Sequence, residues 1–147
     1  MLAKSRPRVY YLYAVKKAGL PTDVLTQIYV TFIRPLLEYA SPVWGGLPKH
    51  LSDMLEGVQK RCLRIMGIPS DSLPSLSSRR DTATLKTLQD ILKDSSSPLN
   101  EFLVLPQDNS YSLRREGRHR ALTRSITKRH ELSFIPRSLK LLHHTDR

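Results

Sequence analysis

The chain has 147 residues and a formal net charge of +11, with 24 Lys+Arg against 13 Asp+Glu and a pI near 10.2. A chain of this length buries roughly 70% of its unfolded surface if it closes on itself, and its charge favours a polyanionic partner, nucleic acid first and an anionic membrane second. A single cysteine excludes an internal disulfide framework and a cysteine-rich zinc site, and no apolar run has signal-peptide or membrane-spanning character, so the protein reads as soluble and intracellular.

The opening segment MLAKSRPR carries Lys4, Arg6 and Arg8 and no acid. Pro7 suits the start of a helix running to Ala18, with Gly19 as its stop. Val9, Leu12 and Tyr13 form its stripe, while Tyr10, Tyr11, Ala14 and Val15 widen the apolar surface beyond what a water-bathed helix needs. The helix is therefore expected to be central to the core or to pack on something preceding it. A second helix opens at Thr22-Asp23 after Pro21 and sets Val24, Leu25, Ile28, Tyr29, Phe32, Ile33, Leu36, Leu37 and Ala40 at helical spacing. Pro35 interrupts this pattern: it removes one backbone hydrogen bond and opposes the carbonyl of Thr31, which predicts a kink or a restart. Ser41-Pro42 predicts an extended backbone, and Val43 to Gly46 a turn. Trp44 in that turn reads either as a core anchor whose loop needs glycine to bend around the ring, or as a platform for stacking bases.

The helix expected to organise the chain runs from about Pro48 to Met66. Leu51, Met54, Leu55, Val58, Cys62, Ile65 and Met66 fall on one face, and Asp53, Glu56, Gln59, Lys60, Arg61 and Arg64 on the other, acidic early and basic late as the helix dipole favours. Gly67 supplies the stop. Cys62 on the apolar face reads as a packing residue rather than a nucleophile. Ile68 to Ser78 is a linker of turn formers. A fourth helix follows from Ser75 or Leu76 to Lys93, with Leu76, Ala83, Leu85, Leu88, Ile91 and Leu92 apolar. Arg79 and Arg80 near its start are expected to be exposed; they oppose the dipole and so are expected to meet an acid, a phosphate or solvent, with solvent as the default.

From Gln107 onward regular patterning fades. Between Tyr111 and Arg147 stand ten Lys/Arg against three Asp/Glu, in runs such as RREGRHR and TKRH, the pattern of a solvated basic arm. The exception is SFIPRSLKLLHH, Ser133 to His144, where Pro136 suits the first turn of a terminal helix that docks back on the core. The expected fold is all-α: a small irregular bundle of about four to five helices with a basic, partly disordered C-terminal tail and a short terminal helix. Residues 1–68 form the helical core, 69–105 the linker and fourth helix, and 106–147 the basic tail. Pro35, Tyr39, Trp44, Leu55, Val58 and Leu63 are expected to carry the fold.

The succession YLYAVKKAGL, IYVTFIRPLLEYASPVW, LEGVQKRCLRIMG, LPSLSSRRDTATLKTLQDIL and SFIPRSLKLL covers nearly the whole chain. It resembles the region just past the palm in reverse transcriptases of jockey-like non-long-terminal-repeat retrotransposons. The resemblance implies a helical thumb, residues 1–68, and the connection beyond it, gripping primer–template duplex as it leaves the active site. In that family the chemistry belongs to palm carboxylates, including a Tyr-x-Asp-Asp turn, that hold two metal ions. Here no aspartate is paired with a second one, and no Cys/His knuckle occurs. The chain is thus expected to be a fragment without palm or endonuclease that does not polymerise by itself, with the missing palm as a candidate partner.

Other chemistry is sparse. His50, His119, His130, His143 and His144 show no metal-ligand spacing, no Gly-x-Ser-x-Gly elbow or Gly-rich phosphate loop occurs, and neither cofactor nor small-molecule substrate is expected. The residues expected to contact phosphates are Lys60, Arg61 and Arg64 on the organising helix and Arg114, Arg115, Arg118, Arg120, Lys128 and Arg129 in the tail. Such contacts position a duplex without reading its sequence. The alternative is a helical protein-interaction module whose wide apolar faces take a partner chain. A basic membrane binder ranks last, because Trp44 lies in a turn rather than on an amphipathic face.

Overall fold

The computed structural model describes residues 2–94, 96–103 and 125–145, and all regular structure in them is helical, with no strand among the described residues. The helices are α1 (Leu2–Lys17), α2 (Thr22–Ile28), α3 (Arg34–Glu38), α4 (Ser41–Trp44), α5 (Lys49–Met66), α6 (Leu76–Lys93), α7 (Lys128–Glu131) and α8 (Phe134–Thr145). A π-helical segment, Tyr29–Ile33, joins α2 to α3, and a 3₁₀ turn, Pro98–Phe102, follows α6. Two compact units share the chain: Met1–Ser41 with Leu47–Arg80, and Pro42–Gly46 with Asp81–Arg147. The division between the units falls inside α6.

In the first unit α1 packs on α5, α2 and the Tyr29–Ile33 segment, and α2 also meets α5. Its core holds Val9 and Leu12 from α1, Leu25, Tyr29, Ile33 and Leu37 from the second helical run, and Leu55, Cys62, Leu63 and Met66 from α5. Helix α1 begins well before Pro7, which lies inside it rather than in its first turn. The proline deprives the Ala3 carbonyl of its intrahelical donor, but Ala3 is exposed and water can serve it. Gly19 and Gly67 take positive φ and end α1 and α5, with Leu20 N–H on the Val15 carbonyl and Ile68 N–H on the Leu63 carbonyl.

Pro35 acts through a restart. It sits in the first turn of α3, and the ladder ahead of it widens so that Arg34 N–H bonds the Tyr29 carbonyl five residues back. This widening has a packing consequence. Residues four apart drift about 40° per step around an α-helix, and the larger turn of the π segment takes some of that back, which keeps Leu25, Tyr29, Ile33 and Leu37 all fully buried. After α3 the chain turns through Ala40 at φ 52, and Ser41–Trp44 is a short helix rather than the extended backbone and turn expected.

Two residues expected to carry the fold lie nearer the surface. Tyr39 is 74% exposed and Trp44 is only half-buried, while Leu55 and Leu63 are buried, Val58 is half-buried and Pro35 is exposed. Neither glycine beside Trp44 has the positive φ that bending around a ring would call on. Gly46 is needed for closeness instead: an added Cβ would lie 1.8 Å from the Leu132 carbonyl oxygen.

The buried face of α5 is rotated from the expected one. Gln59, assigned to the polar side, is 3% exposed, whereas Leu51 and Met54 are exposed. Gln59 Oε1 accepts a 2.6 Å hydrogen bond from the Tyr29 hydroxyl, and its Nε2 donates to the Pro74 carbonyl at 3.0 Å. The side chain thus joins α5, the π segment and the loop leading to α6. Burial pushes the Tyr29 phenol far above its ordinary range and the Cys62 thiol up to about 11, the latter partly offset by the Arg61 charge.

The start of α6 gives Arg79 an acid, one of the partners expected, and corrects the exposed position expected of Arg80. Ser75 caps it, accepting from Ser78 N–H at 3.1 Å, and Glu56 Oε1 accepts from Ser77 N–H at 2.7 Å. Arg79 forms a two-pronged ion pair with Glu38, which raises its pKa further, and Arg80 is 2% exposed with Nη2 donating to Ser52 Oγ at 2.6 Å. Local acceptors therefore replace solvent. The second unit contains the remainder of α6 with α7 and α8. There Arg137 pairs with Asp81 and donates to Thr84 Oγ1 at 3.2 Å, and Leu139 is fully buried.

Gln59→Leu strands the buried Tyr29 hydroxyl and is expected to cost about 2 kcal/mol in urea unfolding, with Tyr29→Phe in that background recovering part of the loss. Gly46→Ala is expected to destabilise by about 1–3 kcal/mol through the forced shift at Leu132. Alkaline conditions act on both raised acids. The unfolded chain releases the Cys62 proton near pH 9.0 and the folded chain near 11, so stability complete below that window falls as pH climbs through it. Denaturant midpoints measured at about pH 8 and about pH 10.5 should show that fall, and Cys62→Ala should remove its early part.

Candidate nucleic-acid interface

Lys60, Arg61 and Arg64 occupy one exposed ridge of α5, turned to solvent because Gln59, Cys62, Leu63 and Met66 are turned inward. Lys60 and Arg64 stand four residues apart, about 6 Å along the axis. Among the described residues none of the three side chains has an ion pair or hydrogen bond, whereas the acids of the same helix are engaged: Asp53 with Lys49 at 3.5 Å and Glu56 with the start of α6. The ridge lies toward the C-terminal half of α5, where cations complement the helix dipole.

Lys128 and Arg129 are exposed on α7, a single turn capped by Thr127 Oγ1, which accepts from His130 N–H at 3.2 Å. The neighbouring Glu131 hydrogen-bonds Lys140, which holds its carboxyl below the usual range, so that acid is committed to another cation. Arg114, Arg115, Arg118 and Arg120 lie outside the described residues. Of the nine expected phosphate contacts the first unit holds three and the second two among the described residues.

Several surface features escaped the sequence reading. Arg6, counted there as preceding the first helix, lies inside α1 and lines a groove that also includes Arg61 of α5, with the exposed Tyr10 and Tyr13 beside it. Arg8 is drawn away from solvent: its guanidinium sits 4.4 Å from the Phe32 ring centroid and donates to the Phe32 carbonyl at 2.6 Å, and Tyr11 meets the same ring edge-on. Helix α1 lends Val9 and Leu12 to the core, while its tyrosines at 10, 11 and 13 are all more than half exposed. The signal that would have placed Arg6 is a helix start at Leu2, which Pro7 concealed.

Among the described residues no three His, Cys, Asp or Glu side chains gather to hold a metal ion, and no helix is long and apolar enough to cross a membrane. No family model matches the chain, and no curated protein or solved structure matches it.

Proposed function

We propose that this chain binds the backbone of a nucleic-acid duplex through the basic ridge of α5, as a non-catalytic module of the thumb type found in retroelement RNA-directed DNA polymerases. The observation that carries the reading is the ridge itself: three cations within five residues of one helix, all exposed and none engaged among the described residues. Long flexible cations on a rigid helix suit phosphate contact, which holds a duplex in register and leaves its bases unread. Lys128 and Arg129 on α7 add a second basic turn, and the Arg-rich run from Arg114 to Arg120 extends the positive charge along the sequence. The resemblance to the thumb supports a primer–template hybrid as the duplex, and the scattered aspartates support a role in holding rather than making nucleic acid.

The test is salt-dependent binding to an RNA–DNA hybrid by fluorescence anisotropy. Engaging about five phosphates gives a slope of log K against log salt of about −4 to −5, and Lys60→Gln with Arg64→Gln should flatten it by about 2. An affinity that barely moves between about 50 and 200 mM salt removes the reading.

A further inference from the structure

The apolar stripe of α5 is wider than the core that uses it. Burial takes Leu55, Cys62, Leu63 and Met66, while Met54, Val58 and Ile65 are left on the flank, where they line a groove of about 730 Å³ between α1 and α5 within the first unit. Arg6 stands on the α1 side and Arg61 on the α5 side, and no acidic residue lines the groove among the described residues. The whole of α1 contains no acid.

Gly57 makes a separate point. It lies in the middle of α5, where glycine is the poorest helix former apart from proline. A Cβ added there would meet nothing within 4 Å, so the chain's own packing does not ask for a glycine at this position. A bare backbone bordering an open groove admits close approach by another backbone.

We infer that this groove docks an acidic amphipathic helix of a partner protein. Apolar side chains at i, i+3, i+4 and i+7 of that helix would cover Met54, Val58 and Ile65, its carboxylates would face Arg6 and Arg61, and its backbone would pass closest over Gly57. The aliphatic floor disfavours a phosphodiester strand, which would desolvate it for two cationic contacts only. Charge complementarity disfavours a second copy of this chain, which carries a net charge of +11.

The experiment uses the full chain and a fluorescein-labelled designed peptide of about 18 residues, with leucines on one helical face and glutamates flanking it. Its comparators are the same peptide with lysines for glutamates and a scrambled acidic peptide of identical composition. The acidic amphipathic peptide is expected to bind at least about tenfold tighter than either. Gly57→Leu, which places its side chain in open space and is the better helix former, should keep or raise the melting temperature and keep the salt-dependent duplex affinity yet lose at least about tenfold in peptide affinity. This reading and the duplex reading therefore fail separately. Arg6→Glu with Arg61→Glu should transfer the preference to the lysine peptide. Equal affinity for the amphipathic and scrambled acidic peptides, no binding of either, undiminished binding by folded Gly57→Leu, or displacement of the peptide by oligothymidylate from the Lys60→Gln, Arg64→Gln variant, whose ridge no longer holds nucleic acid, would each overturn the assignment.

Discussion

The first unit depends on one buried amide. Gln59 accepts from the Tyr29 hydroxyl and donates to the Pro74 carbonyl, so a single side chain satisfies polar groups from two other parts of the chain. The Tyr29 hydroxyl lies in the buried core and would be costly if left alone, whereas Pro74 is exposed, so the pairing fixes more than it stabilises. Turning Gln59 inward sets the rotation of α5 about its axis, at about 100° per residue. Lys60, Arg61 and Arg64 must then face outward, and the aliphatic residues on the other side of the helix are only partly covered. The basic ridge and the apolar groove both follow from the same choice of rotation.

That choice explains what the amino-acid pattern of α5 did and did not disclose. Its limits, its glycine stop and the packing role of Cys62 follow from spacing and from the stop residue alone, and the structure has them. The burial of Gln59 does not. Hydrophobic periodicity weighs side chains one at a time, and nothing in a glutamine says that a tyrosine thirty residues earlier brings a hydroxyl to it. The same blindness covers α6, whose fully or nearly fully buried positions are Leu76, Arg80, Thr84 and Leu88, an every-fourth-residue stripe that looks weak because half of it is polar. Arg80 belongs to it only through acceptors such as Ser52 that the fold supplies.

Proline reading shows a similar split. The clash of Pro35 with the carbonyl four residues back is local physics, so an interruption was legible; that the helix would absorb it as a π segment was not, because the benefit lies in keeping four side chains on one core. At Pro7 the same physics misled. The missing hydrogen bond falls on an exposed turn, where the loss is small enough for α1 to run through it. The glycines beside Trp44 are a different case: they suggest a loop bent around the ring, whereas Gly46 serves a backbone contact with Leu132.

The net charge is also a poorer guide than it looks, because the fold uses several of its cations. Arg8 lies on Phe32, Arg79 on Glu38, Arg80 on Ser52 and Arg137 on Asp81 and Thr84. These arginines make directed, partly buried contacts of the kind their planar fork favours. What remains for a polyanion in α5 is a short run whose neighbouring acids are already committed, so its potential is concentrated rather than spread over the surface. Arg61 stands at the edge shared by that ridge and the groove, where a phosphate and a partner's carboxylate would compete for the same guanidinium. An acidic helix seated in the groove would therefore weaken duplex binding by occupying one of the three cations, and by linkage a bound duplex would weaken the helix by the same factor.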